Sequence, residues 1–394
     1  MIRKNIQEEN IVYGVDFGSS ALKISVCELL DIHEFEVLTS MKFKYIGPMN
    51  KKLFDRERIK QFIERAFSRI DRELSVSTQQ KKTIVTLPMA EYKTDIITVQ
   101  TVVKNNLVKF ENKIELINKA KEISSCGAIL HTIPLKYTLD GESVPDPIGL
   151  QGEILQMDIF VIGYDEFLLE HFKSIFEELS IKVGKFVAPP LSFINYYLNF
   201  VPAQNKAQNI LVIDFGSDVS YCYRIGNSQL ATFHCLNLGS EIITNDIKNV
   251  LKISYDIAKK LKENHASLIN KDDEEISIDG VNVQLSLLNE IVEARYDEIL
   301  ETYDNVPSMH NVDGDDIKII VLGKGHPKGV DMYLENRWKG KIQSLAPYIA
   351  DTNYMIAVGN IQYALNNEIY IPQIKEKQTT GIITRLIHIF EDLF

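Results

Sequence analysis

One short pattern occurs twice in this chain, once near its start and once past its midpoint. The run Ile-Val-Tyr-Gly-Val-Asp-Phe-Gly-Ser begins at Ile11, and Ile-Leu-Val-Ile-Asp-Phe-Gly-Ser begins at Ile210. A single turn of this kind is ordinary hairpin chemistry, because Asp and Gly suit tight turns for backbone reasons alone. Two copies, each opening a long stretch of strands and helices, predict two similar halves whose hairpins face each other across a cleft.

The residue types at these turns suit a nucleotide and its metal ion. Glycine lets backbone N–H groups approach an anion, and serine hydroxyls add further donors. Carboxylates are ligands that hydrated Mg²⁺ prefers, so Asp16 and Asp214 are the predicted metal residues. We therefore expect ATP with Mg²⁺ as the cofactors.

Bulk properties narrow the class of protein. With 394 residues, two or three compact domains are expected. The formal net charge of -11 argues against a general nucleic-acid binder, which needs a basic surface. The first ten residues lack the apolar core of a signal peptide, and no apolar run is long enough to span a bilayer. The four cysteines show no CxxC spacing, which fits a reducing cytoplasm.

A third element extends the pattern. Ile317–Val330 consists of a buried-strand run followed by Gly323, Lys324 and Gly325. Together with the two turns, it resembles the actin, sugar-kinase and chaperone ATPase superfamily, in which a strand and a small turn hold adenosine. The resemblance implies an α/β, actin-like duplicated fold. The nucleotide-binding residues that it implies are Asp16, Gly18, Ser19, Ser20, Lys23, Asp214, Gly216, Ser217, Asp218, Gly239, Lys262, Gly323, Lys324 and Gly325.

A narrower resemblance lies between the two turns. The segment from Leu130 to Leu155 resembles a signature of the bacterial division protein family FtsA. The matching residues are Ile133, Pro134, Tyr137, Asp140, Gly141, Pro147, Gly149, Gly152 and Leu155. A second segment, from Leu287 to Leu300, resembles a helix of the same family, with Arg295 at the family's arginine.

The resemblance to FtsA implies a function and a subdomain plan. Family members bind ATP, polymerise, hold FtsZ at the membrane through the C-terminal peptide of FtsZ, and recruit later division proteins. Arg295 is then a candidate contact for that acidic peptide. The implied subdomains are 1A (1–83 and 164–207), an inserted 1C (84–163), 2A (208–237 and 311–370) and 2B (238–310). Subdomain 2B is expected to be mostly helical, with the acidic run 270–280 as a solvated loop between helices.

The chain departs from the family in its second turn. The usual Asp-x-Gly-Gly-Gly-Thr is here Asp-Phe-Gly-Ser-Asp-Val, so side chains of Ser217 and Asp218 narrow the approach to phosphates. Asp218 also repels phosphate unless Mg²⁺ lies between them. No residue is identified as catalytic. These changes favour a nucleotide-sensitive scaffold, at most a weak ATPase.

The last residues form a predicted amphipathic helix, 381–394, after a polar linker, 371–380. At about 100° per residue its apolar side chains share one face. The predicted membrane-binding residues are Ile382, Ile383, Leu386, Ile387, Phe390, Leu393 and Phe394. Such a helix can lie in a bilayer interface, although amphipathic helices also pack on their own domain or on a partner. It predicts a cytoplasmic, peripheral protein on the inner face of the membrane at the division site.

Two alternatives share the predicted fold. A scaffold for pilus assembly, resembling PilM, would bind a membrane partner's short tail and need no lipid-seeking helix. A small-molecule kinase would need a catalytic carboxylate and two intact glycine loops, and the sequence shows neither. The FtsA-like tether is therefore the leading interpretation.

Overall fold

The computed structural model describes residues 8–18, 20–32, 34–45, 55–76, 81–88, 91–269, 273–306, 317–323, 326–345 and 352–369. The backbone separates into two compact units. The first unit is formed by the chain up to Asn199 and again from Tyr354, and the second by Phe200–Asn353.

The regular elements alternate between strands and helices along the chain. The strands are β1 (Ile11–Phe17), β2 (Ala21–Asp31), β3 (Glu34–Lys44), β4 (Lys81–Thr86), β5 (Tyr92–Val102), β6 (Ala128–Leu139), β7 (Glu142–Val144), β8 (Ile154–Tyr164), β9 (Ile181–Phe186), β10 (Asn209–Phe215), β11 (Ser220–Gly226), β12 (Gln229–Leu236), β13 (Glu275–Ile278), β14 (Val281–Gln284) and β15 (Ile317–Leu322). The α-helices are α1 (Arg56–Leu74), α2 (Phe110–Ile123), α3 (Glu166–Glu178), α4 (Pro189–Phe200), α5 (Ser240–Leu251), α6 (Tyr255–Asn264), α7 (Leu285–Asp304), α8 (Val330–Arg337) and α9 (Met355–Asn366).

Strand β1 lies at the centre of the first unit's main sheet, whose order is β3-β2-β1-β4-β9. It pairs antiparallel with β2 and parallel with β4. Every residue of β1 is buried, as expected for a continuous apolar run that is covered on both faces.

Helix α9 packs directly on β1, and glycine makes this possible. A Cβ atom on Gly14 would lie 1.8 Å from the carbonyl oxygen of Ala357, so only glycine allows the approach. Gly359 allows a similar approach to Ser192 on α4. The sequence grouped residues 311–370 with the second half, but α9 belongs to the first unit. The other predicted subdomain boundaries stay predictions.

The segment between β4 and α3 forms its own sheet, of order β5-β8-β6-β7, with α2 packed against it. Its β6–β7 turn explains part of the signature. Asp140 and Gly141 both have positive φ, at 48° and 89°, and the Asp140 carboxylate accepts a hydrogen bond from the Ile154 amide at 2.8 Å. A Cβ on Gly152 would lie 2.6 Å from the Leu139 side chain and 2.7 Å from Asp140 Oδ2, so any other residue would displace these side chains. The signature residues therefore hold this turn.

The second unit repeats the plan of the first. Its main sheet has the order β12-β11-β10-β15, in which β10 pairs antiparallel with β11 and parallel with β15. These are the relationships that β1 has with β2 and β4. The predicted duplication is therefore present in the sheets of the two units.

The acidic run of the second unit lies between α6 and α7, as predicted, but it is not all loop. Part of it forms the antiparallel hairpin β13–β14, which turns at Asp279 and Gly280. The hairpin forms because apolar residues alternate on either side of an Asp-Gly turn, and Val283 is buried in the unit's core.

Candidate functional site

In each Asp-Phe-Gly-Ser hairpin four residues separate the last two paired positions: residues 18–21 between Phe17 and Leu22, and residues 216–219 between Phe215 and Ser220. We call them the first loop and the second loop. Ser19 lies outside the described residues.

The strand register gives the two loops different chemistry. Lys23 lies opposite Asp16 in the first hairpin, whereas Tyr221 lies opposite Asp214 in the second. The equivalent positions therefore carry a cation in one unit and a phenol in the other.

A lysine stands at the first loop. The Lys23 Nζ donates a hydrogen bond to Asp16 Oδ2 at 2.9 Å, and the side chains are 23% and 7% exposed. A Cβ on Gly18 would lie only 3.5 Å from this Nζ atom, so the ammonium lies over the glycine turn. The hydroxyl residue Ser20 is exposed beside it. A partly exposed cation, a glycine and a hydroxyl fit an anion such as phosphate.

Tyr45 adds a polar atom that the sequence did not identify. Its amide donates to the Ser20 carbonyl oxygen at 3.4 Å, and its hydroxyl is buried with no hydrogen-bond partner among the described residues. Burial, and secondly the charge of Asp16, raise the pKa of this hydroxyl well above its usual value. A buried neutral donor behind the first loop fits a bound water or ligand oxygen.

The second loop is closed against the start of α5. The Ser240 amide donates to the Gly216 carbonyl oxygen at 3.0 Å, and the Glu241 amide donates to the Ser217 carbonyl oxygen at 2.9 Å. A Cβ on Gly239 would lie 2.2 Å from that Ser217 oxygen, so glycine is required at this contact. Carbonyl oxygens of the loop therefore satisfy amides at the N-terminus of the helix, where an anion would otherwise be favoured.

Glu241 places a carboxylate at the second loop. Its Oε1 accepts a hydrogen bond from Ser217 Oγ at 3.2 Å, and its Oε2 accepts one from the Tyr255 hydroxyl at 2.6 Å. Burial, and then the charge of Glu241, raise the pKa of Asp218. The second loop thus has two neighbouring carboxyl groups, with the charges of Lys259 and Lys262 partly offsetting them.

Lys262 is near this region but is turned inward. It is 7% exposed, and its Nζ donates to the Ser240 carbonyl oxygen at 2.9 Å. Burial lowers the pKa of its ammonium group. The contact stabilises the start of α5, and the ammonium group also acts electrostatically on Asp218 of the second loop.

The predicted adenosine turn follows β15. Gly323 has φ of 100°, and a Cβ there would lie 2.1 Å from the Phe215 carbonyl oxygen, so glycine fits for two reasons. Lys324 and Gly325 lie outside the described residues.

His326 joins this turn to the second loop and to α7. Its ring stacks on Phe215 at 4.8 Å between centroids, the Tyr296 hydroxyl donates to Nδ1 at 2.8 Å, and Nε2 donates to the Leu322 carbonyl oxygen at 2.9 Å. This arrangement uses the neutral imidazole, and burial lowers the pKa of His326 to about 4. The sequence singled out the turn but not this network, which depends on contacts distant along the chain.

Arg295, the predicted partner contact, already holds an internal ion pair. Its guanidinium donates from Nε and Nη2 to the two carboxylate oxygens of Asp246 on α5, and from Nη1 to Glu298 at 2.8 Å. The predicted partner contact is therefore already engaged within the second unit.

The described residues include no group of three or more His, Cys, Asp or Glu side chains that could hold a metal ion. Asp16 is engaged by Lys23, so it does not serve as a preformed metal ligand. The residues fit phosphate at the first loop. Because Mg²⁺ usually takes only one or two protein carboxylates together with water and phosphate oxygens, its predicted place near Asp16 and Asp214 stays a prediction.

The predicted linker and membrane-binding helix, 371–394, lie outside the described residues. Among the described helices, none is both long enough and apolar enough to cross a membrane.

Solved structures identify the class of protein. The PilM-PilN type IV pilus biogenesis complex contains a chain that aligns with a TM-score of 0.61 at 11% identity, over 89% of this chain and 98% of that one. MreB5 of Spiroplasma citri bound to ADP aligns with a TM-score of 0.50 at 11% identity, over 92% of this chain and 98% of that one. At such identities the likeness shows the fold alone, and the fold is actin-like.

Sequence models then identify the family. The model described as "Cell division protein FtsA" matches residues 211–364, and the model described as "SHS2 domain inserted in FTSA" matches residues 90–163. The two ranges together make up more than half of the chain, which belongs to the FtsA family. The separate sheet of the first unit is the inserted domain.

Curated relatives agree with this family. The chain is 25% identical over 306 residues to cell division protein FtsA of Streptococcus pneumoniae, which covers 74% of this chain and 66% of that protein. It is 23% identical over 385 residues to FtsA of Bacillus subtilis, which covers 92% of this chain and 85% of that protein. The chain therefore spans slightly less than two thirds of the first relative's length and most of the second's.

Proposed function

We propose that this chain is a cell-division protein that binds ATP, polymerises and attaches FtsZ filaments to the inner face of the cell membrane. Membership of the FtsA family supports the role in division. The observation that carries the nucleotide part is the Lys23 Nζ, which lies over the glycine turn of the first loop and 2.9 Å from buried Asp16. The protein then acts in the cytoplasm, peripherally at the division site, and recruits later division proteins.

The two loops contribute unequally to nucleotide binding in this proposal. The first loop binds phosphate through Lys23 and the hydroxyl groups of Ser19 and Ser20. The Gly323–Gly325 turn contacts adenosine, and Mg²⁺ arrives with the phosphates, near Asp16 and Asp214. Because the second loop carries carboxylates, binding regulates a scaffold and hydrolysis is slow or absent.

FtsZ binding is proposed for the second unit. An acidic C-terminal peptide of FtsZ replaces the carboxylate of Asp246 on Arg295, which is partly exposed at 28%. Such an exchange keeps the guanidinium paired, and the released Asp246 carboxylate, which is 25% exposed, is solvated by water.

The tail supplies the membrane contact. Its pattern supports an interfacial helix whose apolar face carries Leu386, Ile387 and Phe390. One such helix binds weakly, and a filament presents many at once, which multiplies the effective affinity. Polymerisation therefore turns weak anchors into a firm attachment.

The test is co-sedimentation with vesicles of neutral and anionic phospholipid in the presence of FtsZ. The full chain is compared with a truncation ending at Thr380. We expect FtsZ to reach the vesicle pellet only with the full chain, while the melting temperature of the truncation stays unchanged. A truncation that melts at a lower temperature would show that the tail packs on the protein itself.

A matched pair of variants separates apolar contact from charge. Leu386→Glu with Ile387→Glu adds two charges to the apolar face, and Thr384→Glu with His388→Glu adds the same two to the polar face. We expect the double substitution on the apolar face to abolish vesicle binding and the one on the polar face to reduce it modestly. If the full chain reaches the vesicle pellet while FtsZ stays in the supernatant, the FtsZ part of the proposal fails. If neither the chain nor FtsZ reaches the pellet, a pilus-type scaffold becomes the better hypothesis.

A further inference from the structure

We infer that Glu241 is a specificity-determining residue of the second loop, where its carboxylate competes with the phosphate groups of a nucleotide. The inference rests on the nucleotide binding proposed above. In this inference, the Glu241 carboxylate determines how readily the second loop binds a nucleotide phosphate.

Both oxygens of Glu241 are held. Ser217 Oγ, from the second loop, donates to Oε1 at 3.2 Å, and the Tyr255 hydroxyl, from α6, donates to Oε2 at 2.6 Å. The loop's serine is the hydroxyl donor that would otherwise serve a phosphate oxygen. Glu241 therefore already occupies a donor that the sequence assigned to the nucleotide.

The backbone of Glu241 also contacts the second loop. Its amide donates to the Ser217 carbonyl oxygen at 2.9 Å, so main chain and side chain both join this residue to the loop. Because Gly239 has no Cβ, the loop can lie directly against the start of the helix. The Glu241 carboxylate is therefore held in place by a backbone hydrogen bond as well as by the two hydrogen bonds of its side chain.

The cations near the second loop are directed elsewhere. Burial and then the charge of Glu241 raise the pKa of Asp218, and the charges of Lys259 and Lys262 act in the opposite direction. Lys262 Nζ donates to the Ser240 carbonyl oxygen at 2.9 Å, and Lys259 Nζ lies over the Tyr255 ring at 5.8 Å from its centroid. The first loop has the opposite arrangement, because Lys23 stands where the second hairpin has Tyr221.

This contrast predicts how nucleotide binds. A phosphate group approaches the second loop only when Glu241 moves or when a divalent cation lies between the two anions. The second loop therefore selects the Mg²⁺ complex of a nucleotide over the bare anion.

The experiment is a calorimetric titration of the full chain with ATP, in EDTA and separately in Mg²⁺, with wild type and Glu241→Gln. The amide keeps the size and one acceptor oxygen but removes the charge. In EDTA we expect Glu241→Gln to bind ATP about three- to tenfold more tightly than wild type, and the gain to shrink in high salt. In Mg²⁺ we expect a smaller gain, because the cation already screens the carboxylate.

The control is Glu301→Gln, which removes the charge of an exposed carboxylate on α7 and is expected to leave ATP affinity unchanged. Glu241→Ala serves as a second charge-removing variant if Glu241→Gln does not fold. Wild type that binds ATP, with both Glu241 variants binding no more tightly, overturns the inference and leaves the proposed function standing. Absence of ATP binding by wild type and by the Glu241 variants, in EDTA and in Mg²⁺, overturns the nucleotide proposal itself and the inference with it.

Discussion

The Asn360 side-chain amide donates a hydrogen bond to the Val15 carbonyl oxygen at 2.9 Å, which joins α9 to the residue just before Asp16. The oxygen of the same amide accepts hydrogen bonds from Thr86 Oγ1 on β4 and Ser192 Oγ on α4. Asn360 is fully buried, so one side chain satisfies three buried polar groups. The strand of the first loop is thereby connected to the helix from which the chain continues toward the predicted tail.

Replacing Asn360 with leucine should destabilise the first unit strongly. Leucine has the same branched arrangement of heavy atoms, although its methyl groups are larger, and it leaves the Val15 carbonyl and two hydroxyl groups buried without this partner. Unsatisfied buried groups cost about 1–3 kcal/mol each, and partial relaxation gives an expected loss of about 2–4 kcal/mol in the free energy of unfolding. Urea denaturation followed by tyrosine fluorescence measures it.

The control for this substitution is Asn366→Leu, at the exposed end of the same helix, where the side chain also has two hydrogen bonds, to Asn195 and from Gln362. Because water can replace these partners at an exposed site, its effect is expected to stay within about 1 kcal/mol. Equal losses for the two variants would mean that the buried network contributes nothing specific.

Gly14→Ala should be among the most disruptive single-methyl changes in the protein. The added Cβ would lie 1.8 Å from the Ala357 carbonyl oxygen, a backbone atom that cannot rotate away. Overpacking of this kind costs about 1–3 kcal/mol and sometimes more, and the upper end is expected here. Thermal unfolding compared with Gly226→Ala provides the test, because a Cβ at Gly226 meets only Asn209 Oδ1 at 3.4 Å. If the two variants have the same melting temperature, the packing of α9 does not depend on the close contact between Gly14 and Ala357.

Much of the fold could be predicted because the repeated Asp-Phe-Gly-Ser pattern acts locally. A strand, a glycine turn and a returning strand are determined by neighbouring residues, and the two hairpins have the same register. The β13–β14 hairpin was also readable, since Ile276 and Ile278 alternate before an Asp-Gly turn, but the acidic charge of the run suggested a loop instead.

The chemistry of the site was less predictable, because it depends on contacts between distant residues. Nothing near Ser217 in the sequence shows that Glu241 and Tyr255 form a hydrogen-bonded chain with it. The sequence did show that Ser217 and Asp218 replace glycines, which indicated an altered loop without revealing what fills it. The packing of α9 on the first unit likewise depends on Gly14, far from the helix along the chain.

His326 should make the second unit less stable in mild acid. Burial lowers its folded-state pKa to about 4, below the value of about 6.5 expected for an unfolded histidine. Between these values the unfolded chain binds more protons, so stability is full above pH 6.5 and is lost as pH falls toward 4. The expected loss is about 1–3 kcal/mol over this range. Urea unfolding at pH 7 and pH 5 should therefore show a smaller difference for His326→Gln than for wild type.

His171→Gln, in the first unit, is the control for this pH dependence and should keep the wild-type difference. If His326→Gln shows the same fall in stability as wild type, protonation of other groups causes the acid sensitivity. The neutral hydrogen-bonded imidazole would then have no measurable role in it.

Lys23→Gln should weaken nucleotide binding more than any other single loss of a surface charge. The ammonium lies over the Gly18 turn, and a charge-assisted contact with phosphate contributes about 1.5–3 kcal/mol, so ATP affinity should fall about tenfold or more. Lys42→Gln is the matched control, because Lys42 is exposed and lies directly opposite Lys23 on β3. Titrations with ATP are made at a temperature where both variants are folded, since Asp16 loses its partner in Lys23→Gln and the first unit then melts earlier. Equal losses of affinity in the two variants would assign the effect to general charge, and an unchanged affinity in Lys23→Gln would remove the first loop from the phosphate site.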